Sequence, residues 1–137
     1  MTWNPIKIWH PELSNIHESV EIGEGSIIHS HAWIGEDVVI GKRVKIQAFS
    51  FIPSGVIIKD DVFIGPRVTF TNDKHPPSGR ANWQQTIVEN GVSIGAGTTI
   101  LPGLTLGAFA KIGAGSLVTK NISPGVTAYG VPAKEMI

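Results

Sequence analysis

The chain has 137 residues, a formal charge of zero from 11 basic and 11 acidic side chains, and no cysteine. That length suits one domain with its own core. The charge balance argues against nucleic-acid or anionic-membrane partners, and the missing thiols exclude disulfides, zinc–thiolate centres and cysteine nucleophiles.

No apolar run nears the roughly 20 residues of a membrane span, and the N-terminus lacks the charged-then-apolar layout of a signal peptide. A soluble, cytoplasmic protein is expected. Residues 1–15 carry Trp3, Ile6, Ile8, Trp9 and Pro11 out of phase with the rest of the chain. They are expected to cap the first coil, because a solenoid end exposes backbone and apolar surface.

From there an aliphatic or aromatic residue recurs every sixth position. The series is Ile16, Ile22, Ile28, Ile34, Ile40, Ile46, Ile52, Ile58, Ile64 and Phe70, then Val88, Ile94, Ile100, Leu106, Ile112 and Val118. A helix repeats near 3.6 residues and a half-buried strand at 2. A strict six signals a solenoid of short strands and turns.

Each unit reads aliphatic, often glycine, two outward residues, a small or β-branched residue, and one more, as in Ile22-Gly23-Glu24-Gly25-Ser26-Ile27. The aliphatic and the residue four later are expected to point inward, and the glycine after the aliphatic to form the tight corner. Residues 18 apart should then stack, with Ile16, Ile34, Ile52 and Phe70 in one inner column and Ile28, Ile46 and Ile64 in another.

Coils are expected over residues 16–73 and 88–123, with a C-terminal segment over 124–137. Between them, residues 74–87 hold two prolines, a glycine and a polar run that cannot continue the pattern, so a loop should extrude at one corner. The outward faces carry enough Val, Phe and Ile to predict side-by-side packing of prisms.

The repeats, the single loop, the closing Val118-Thr119-Lys120-Asn121-Ile122-Ser123-Pro124 and the ending Gly130-Val131-Pro132-Ala133-Lys134 resemble the trimeric acyl-CoA-dependent acyltransferases with hexapeptide repeats. The resemblance implies an all-β fold: a single-stranded left-handed parallel β-helix of about five triangular coils with one extruded loop. It also implies a homotrimer with acetyl-CoA, and no metal, in the groove between prisms. The positions matching that cofactor site are Gly95, Ala96, Ala114, Lys120 and Lys134.

A narrower set of fragments occurs in order: Ile27-Ile28-His29-Ser30-His31, Lys45-Ile46-Gln47, Asp60-Asp61-Val62-Phe63-Ile64-Gly65-Pro66, Phe70-Thr71-Asn72-Asp73 and Gly91-Val92-Ser93-Ile94-Gly95-Ala96. Together they resemble the N-acetyltransferases of nucleotide-linked amino sugars, nearest the 3-amino-sugar subgroup of surface-polysaccharide synthesis. That resemblance implies Asn72, Asp73 and His75 at the reacting centre and His29, His31, Gln47 and Arg80 toward the sugar nucleotide. Arg67 is a second candidate for a diphosphate, after Arg80, because a guanidinium binds phosphate bidentately. Trp83 is expected to anchor the loop in a neighbour's groove, with stacking on a base as the alternative. Ala48 and Phe49 stand where those relatives carry two asparagines.

His75-Pro76 points to a second branch, the galactoside and maltose O-acetyltransferases, in which the matching histidine is the general base. A hydroxyl needs such a base, whereas a deprotonated amine attacks a thioester when merely positioned. Two further alternatives stay open. One is a zinc hydrase of the γ-carbonic-anhydrase type using His29, His31 and His75; the other is a non-catalytic structural solenoid.

Overall fold

The computed structural model describes residues 5–136; Trp3, named for the cap, lies outside them. Short parallel strands stack into three walls that wind round one core. The first, a basic wall, stacks Lys7–Ile8, Ile27–Ile28, Lys45–Ile46, Phe63–Ile64, Ser93–Ile94, Lys111–Ile112 and Thr127–Gly130, and closes on the antiparallel Ala133–Glu135. The aromatic wall stacks Asn15–Ile16, Trp33–Ile34, Phe51–Ile52, Thr69–Phe70, Thr99–Ile100 and Leu117–Val118. The aliphatic wall stacks Glu21–Ile22, Val39–Ile40, Val56–Ile58, Thr86–Val88 and Thr105–Leu106.

The period-six residues form the core as expected. Ile34 pairs with Ile52, Ile46 with Ile64 and, across the loop, Phe70 with Ile100. All of the series are buried except Ile16 and Ile22, which are partly covered because they lie in the first coil. Burial of each such side chain is worth about 1.5–3 kcal/mol. The position four later is also inward. Where it is a hydroxyl, it caps a corner carbonyl: Ser26 Oγ donates to the Gly41 carbonyl at 2.8 Å and Ser116 Oγ to that of Gly113 at 2.7 Å.

Four expectations need correction. The solenoid makes about seven turns rather than five, because the basic wall has seven parallel strands. The segment expected as a cap joins that wall, with Ile8 pairing Ile28, and Thr127–Gly130 extends it at the other end. The loop covers residues 71–85, since Thr86–Val88 is already strand, paired on both sides.

The tight corner, finally, is not at the glycine after the aliphatic but two residues later. His31, Phe49, Arg67, Gly97 and Gly115 have φ of 64°, 64°, 59°, 69° and 70°. The glycines after the aliphatic serve close approach instead. A Cβ on Gly95 would lie 2.5 Å from the Ala114 nitrogen, and one on Gly23 would lie 2.5 Å from the Gly41 carbonyl carbon. Coils about 4.8 Å apart leave no room for it.

Candidate functional site

The loop leaves the corner between the aromatic and aliphatic walls, and its polar side chains are committed to holding it. Asn72 Nδ2 donates to the Ser54 carbonyl one coil away at 2.8 Å, and the Asn72 carbonyl accepts the Gln84 N–H at 2.7 Å. These two bonds pin the start of the loop to the coil and to the loop's end.

Asp73 accepts the Ser78 N–H at 2.8 Å, the His75 main-chain N–H at 3.2 Å and the Ser78 hydroxyl at 2.5 Å. The Ser78 side-chain bond, then its main-chain bond, hold the Asp73 carboxyl below the usual carboxylate value, against a partial desolvation that raises it. Asp73 is therefore an ionised clasp that already accepts three hydrogen bonds. The His75 imidazole is exposed. The carboxylate that a catalytic histidine would use to orient its ring bonds the His75 backbone instead.

Arg80, expected to meet a diphosphate, pairs with Glu36 Oε2 at 2.6 Å and lies over the Trp83 ring at 5.4 Å. Within the chain, the contact of the Trp83 ring is with this Arg80 guanidinium.

Beside the loop lies a groove of about 350 Å³ lined by Thr71, Asp73, Lys74, Pro76, Leu101, Pro102, Leu104 and Thr119. Its floor is apolar, and Asp73 and Lys74 supply its charge. Sequence reasoning missed Leu101, Pro102, Leu104 and Thr119. Their signal is Leu101-Pro102-Gly103 at the corner one coil above the loop's base.

His29, His31 and Gln47 lie along a different edge, between the basic and aromatic walls. His29 is half-buried and stacks with Trp9 at 6.5 Å; Gln47 stands one coil above it. His31 stacks on Phe49 with ring centroids 4.8 Å apart, and Arg67 lies over the other side of the column, 5.6 Å from the Phe49 ring. Gly95, Ala96 and Ala114 continue this edge, and the Ala96 carbonyl accepts the Gly115 N–H. Ala96 and Ala114 are exposed, which leaves bare backbone along the edge.

Lys120 and Lys134 come together elsewhere, in a groove of about 400 Å³ at the C-terminal end with Asn121, Ser123 and Glu135. Glu135 accepts the Ser123 N–H at 2.6 Å, and that bond lowers its carboxyl from the usual value. Within the chain the expected cofactor residues are thus split between this groove and the bare edge. The zinc reading needs His75 beside His29 and His31, but the loop and the histidine edge are different corners. Among the described residues no group of three His, Cys, Asp or Glu side chains could hold a metal ion.

Comparison with known proteins gives a consistent family. Residues 37–72 match the bacterial transferase hexapeptide (six repeats) family, and residues 85–120 match the hexapeptide repeat of succinyl-transferase family. Serine acetyltransferase of Buchnera aphidicola is 40% identical over 120 residues, which is 88% of this chain and 37% of that protein. The dTDP-3-amino-3,6-dideoxy-alpha-D-galactopyranose 3-N-acetyltransferase of Aneurinibacillus thermoaerophilus is 48% identical over 50 residues, 36% of this chain and 26% of that protein.

Among solved structures, a variant of GDP-perosamine N-acetyl transferase from Caulobacter crescentus in complex with CoA and GDP-perosamine superposes with a TM-score of 0.83 at 25% identity. That match covers 96% of this chain and 57% of that one. The chain therefore spans little more than a third of the length of the serine acetyltransferase it matches. By its repeats, its walls and these relatives, the chain belongs to the hexapeptide-repeat transferase families.

Proposed function

We propose that this chain works in the cytoplasm as an acetyl-CoA-dependent acetyltransferase whose acceptor is the amine of a nucleotide-linked amino sugar. Three left-handed prisms would pack side by side. Such packing lets the loop groove of one prism face the bare edge of a neighbour, which reunites residues that lie on different corners of a protomer. Pantetheine would lie along Gly95, Ala96 and Ala114, with phosphate contacts from Lys120 and Lys134.

In the reaction the amine lone pair forms a bond to the thioester carbonyl carbon, the carbon–sulfur bond breaks, and coenzyme A leaves as a thiolate. The amine's proton passes to water or to that thiolate. Asp73 lies on the groove wall as a standing negative charge, which favours entry of an ammonium group. The loop's part is positioning.

The observation that carries the amine acceptor is the way Asp73 meets His75, through its backbone N–H rather than its ring. A histidine base for a hydroxyl acceptor works best with its ring oriented by a third group, and Asp73 does not supply this. The 40% identity to a serine acetyltransferase over most of the chain favours a second reading, a hydroxyl acceptor such as serine or a sugar.

A thiol-release assay with acetyl-CoA separates the two. The acceptors are UDP- and dTDP-linked 3-amino and 4-amino sugars, L-serine and a galactoside. Turnover on an amino sugar alone upholds the proposal. Turnover confined to hydroxyl acceptors replaces it, and no release from any acceptor returns the structural solenoid.

A further inference from the structure

The acidic residues are unevenly placed. The loop-bearing edge carries Glu36 and Asp73, and the edge between the aliphatic and basic walls carries Glu24, Asp60, Asp61 and Glu89. The remaining edge has one acidic residue, Glu12 in the first coil, which bonds His10. Beyond that coil it is made of residues 29–31, 47–49, 65–67, 95–97 and 113–115, and none of them is acidic. The chain is neutral as a whole, but this stretch is not.

The three arginines divide in the same way. Arg43 is held by Asp61 through two hydrogen bonds of 2.7 and 3.0 Å, and Arg80 by Glu36. Among the described residues Arg67 forms no ion pair. It rests over Phe49, which rests on His31. A stacking contact occupies the face of a guanidinium and leaves its N–H edge free for a bidentate anion.

Phe49 holds a left-handed φ of 64° and is 54% exposed. A bulky residue in that conformation is strained, and Gly97 and Gly115 show that the same column accepts glycine. Above Arg67, a Cβ on either of those glycines would meet nothing within 4 Å. The stack therefore ends in an unpaired cation beneath open space.

We propose that Arg67, propped by Phe49 and His31, is the group that binds the diphosphate of a nucleotide. The inference deepens the acetyltransferase reading and rests on it for the nature of the ligand. Two nucleotides share this chemistry: the nucleoside diphosphate of the acceptor and coenzyme A itself.

The test is binding, measured calorimetrically without turnover, of dTDP, UDP, GDP and coenzyme A to the intact chain and its variants. Arg67→Ala raises Kd by about 10- to 100-fold for the nucleotide concerned, as expected for losing charged hydrogen bonds. Arg67→Lys, with a point charge but no fork, recovers only part of the loss. Phe49→Gly removes the prop while relieving the strained φ, and gives a smaller loss in a fold at least as stable. Arg43→Ala, on another edge, leaves binding unchanged.

A loss confined to dTDP, UDP or GDP identifies the acceptor as the source, and a loss confined to coenzyme A identifies the cofactor; either supports the site. Unchanged binding of every nucleotide to a folded Arg67→Ala protein overturns it, as does an equal loss in Arg43→Ala or a parent chain that binds none of the four. Nucleotide binding without acetyl transfer to any acceptor in the panel breaks the functional reading and leaves this one standing.

Discussion

At the loop-bearing edge Asn72 bonds Ser54, Asp73 bonds Ser78 and His75, and Arg80 bonds Glu36. At the edge between the basic and aromatic walls, His31, Phe49 and Arg67 stack on one another, with the His31 ring also bonding the neighbouring Ser30 hydroxyl, and then the chain thins to Gly95-Ala96-Gly97 and Gly113-Ala114-Gly115. Both edges are corners of the same six-residue repeat. One spends its polar groups on its own shape and the other leaves them, and bare backbone, for something else. The contrast reverses what residue types alone suggest. Asn72, Asp73 and Arg80 have the chemistry of a reacting centre and do structural work, whereas the glycines and an arginine on the other edge are the unspent groups.

The largest effect separates the two kinds of glycine on the bare edge. Gly95→Leu forces a side chain against the Ala114 backbone, and overpacking against backbone that cannot yield costs about 3 kcal/mol or more. Gly97→Ala meets open space and carries only the left-handed penalty at φ 69°, about 1 kcal/mol. Urea unfolding of both variants measures the difference. Equal losses would show that the corner, not the close approach, dictates the glycine after the aliphatic.

Next in size is the clasp. Asp73→Ala frees Ser78 and the His75 backbone together, and a loop displaced by an ångström slows a positioned reaction by about 100-fold. The loss should fall on kcat with little change in the urea midpoint, because the clasp holds a loop and no core. Asp73→Asn keeps acceptor capacity and should recover part of the rate. An Asp73→Ala enzyme with full kcat would return the loop to passive surface.

His75→Ala tests the same edge with the ring alone. With an amine acceptor, transfer falls less than about tenfold, because no base has been removed; with a hydroxyl acceptor the loss is about 10²- to 10⁴-fold. The two outcomes do not overlap, so one rate measurement on each acceptor class decides.

Much of the fold is legible in the sequence because its cause is repeated. Every coil buries the same position against the same position one coil on, 18 residues away or 30 across the loop, so the period survives in residue types from Ile16 to Val118. The ends are not legible, since Ile8 pairs with Ile28 across 20 residues instead of 18. Nor is the left-handed position. His31, Phe49 and Arg67 occupy it where Gly97 and Gly115 also do, so no single residue type marks it.

At the candidate site, sequence order places Asn72, Asp73 and His75 on a loop but cannot say which acceptor each donor finds. The Arg80–Glu36 pair joins residues 44 apart, and only the folded loop brings them together. The Asp73–Ser78 clasp, five residues wide, is a local turn whose signal lies in an Asp followed by Pro76-Pro77-Ser78.

Acid should loosen the clasp before it loosens the coils. The Asp73 carboxyl titrates below its ordinary 3.8 in the folded chain. Its contribution is therefore complete above that pH and disappears as pH falls through the lower, folded value. Proteolytic nicking within residues 71–85, by an acid-active protease, should stay slow down to about pH 4 and accelerate below it. In Asp73→Asn the same loop should be nicked at one rate across that range. Equal acid sensitivity in both proteins would place the titrating group elsewhere.

The smallest effect belongs to Arg80 and Glu36. Their 2.6 Å contact is short, but the side chains are 60% and 45% exposed, and water and salt screen such a pair to about 0.2–1 kcal/mol. Arg80→Ala and Glu36→Ala should each lower stability within that range, and the double variant by less than the sum of the two, since the shared pair is lost once while the Arg80–Trp83 and His17–Glu36 contacts are lost separately. The cycle also tests the division between the edges. If Arg80 is spent on Glu36, Glu36→Ala releases its guanidinium and leaves nucleotide affinity where it was, because Arg67 on the other edge sets it. A gain in nucleotide binding on removing Glu36 would instead mean that the loop arginine had been held back from a phosphate, and that the two edges share the work.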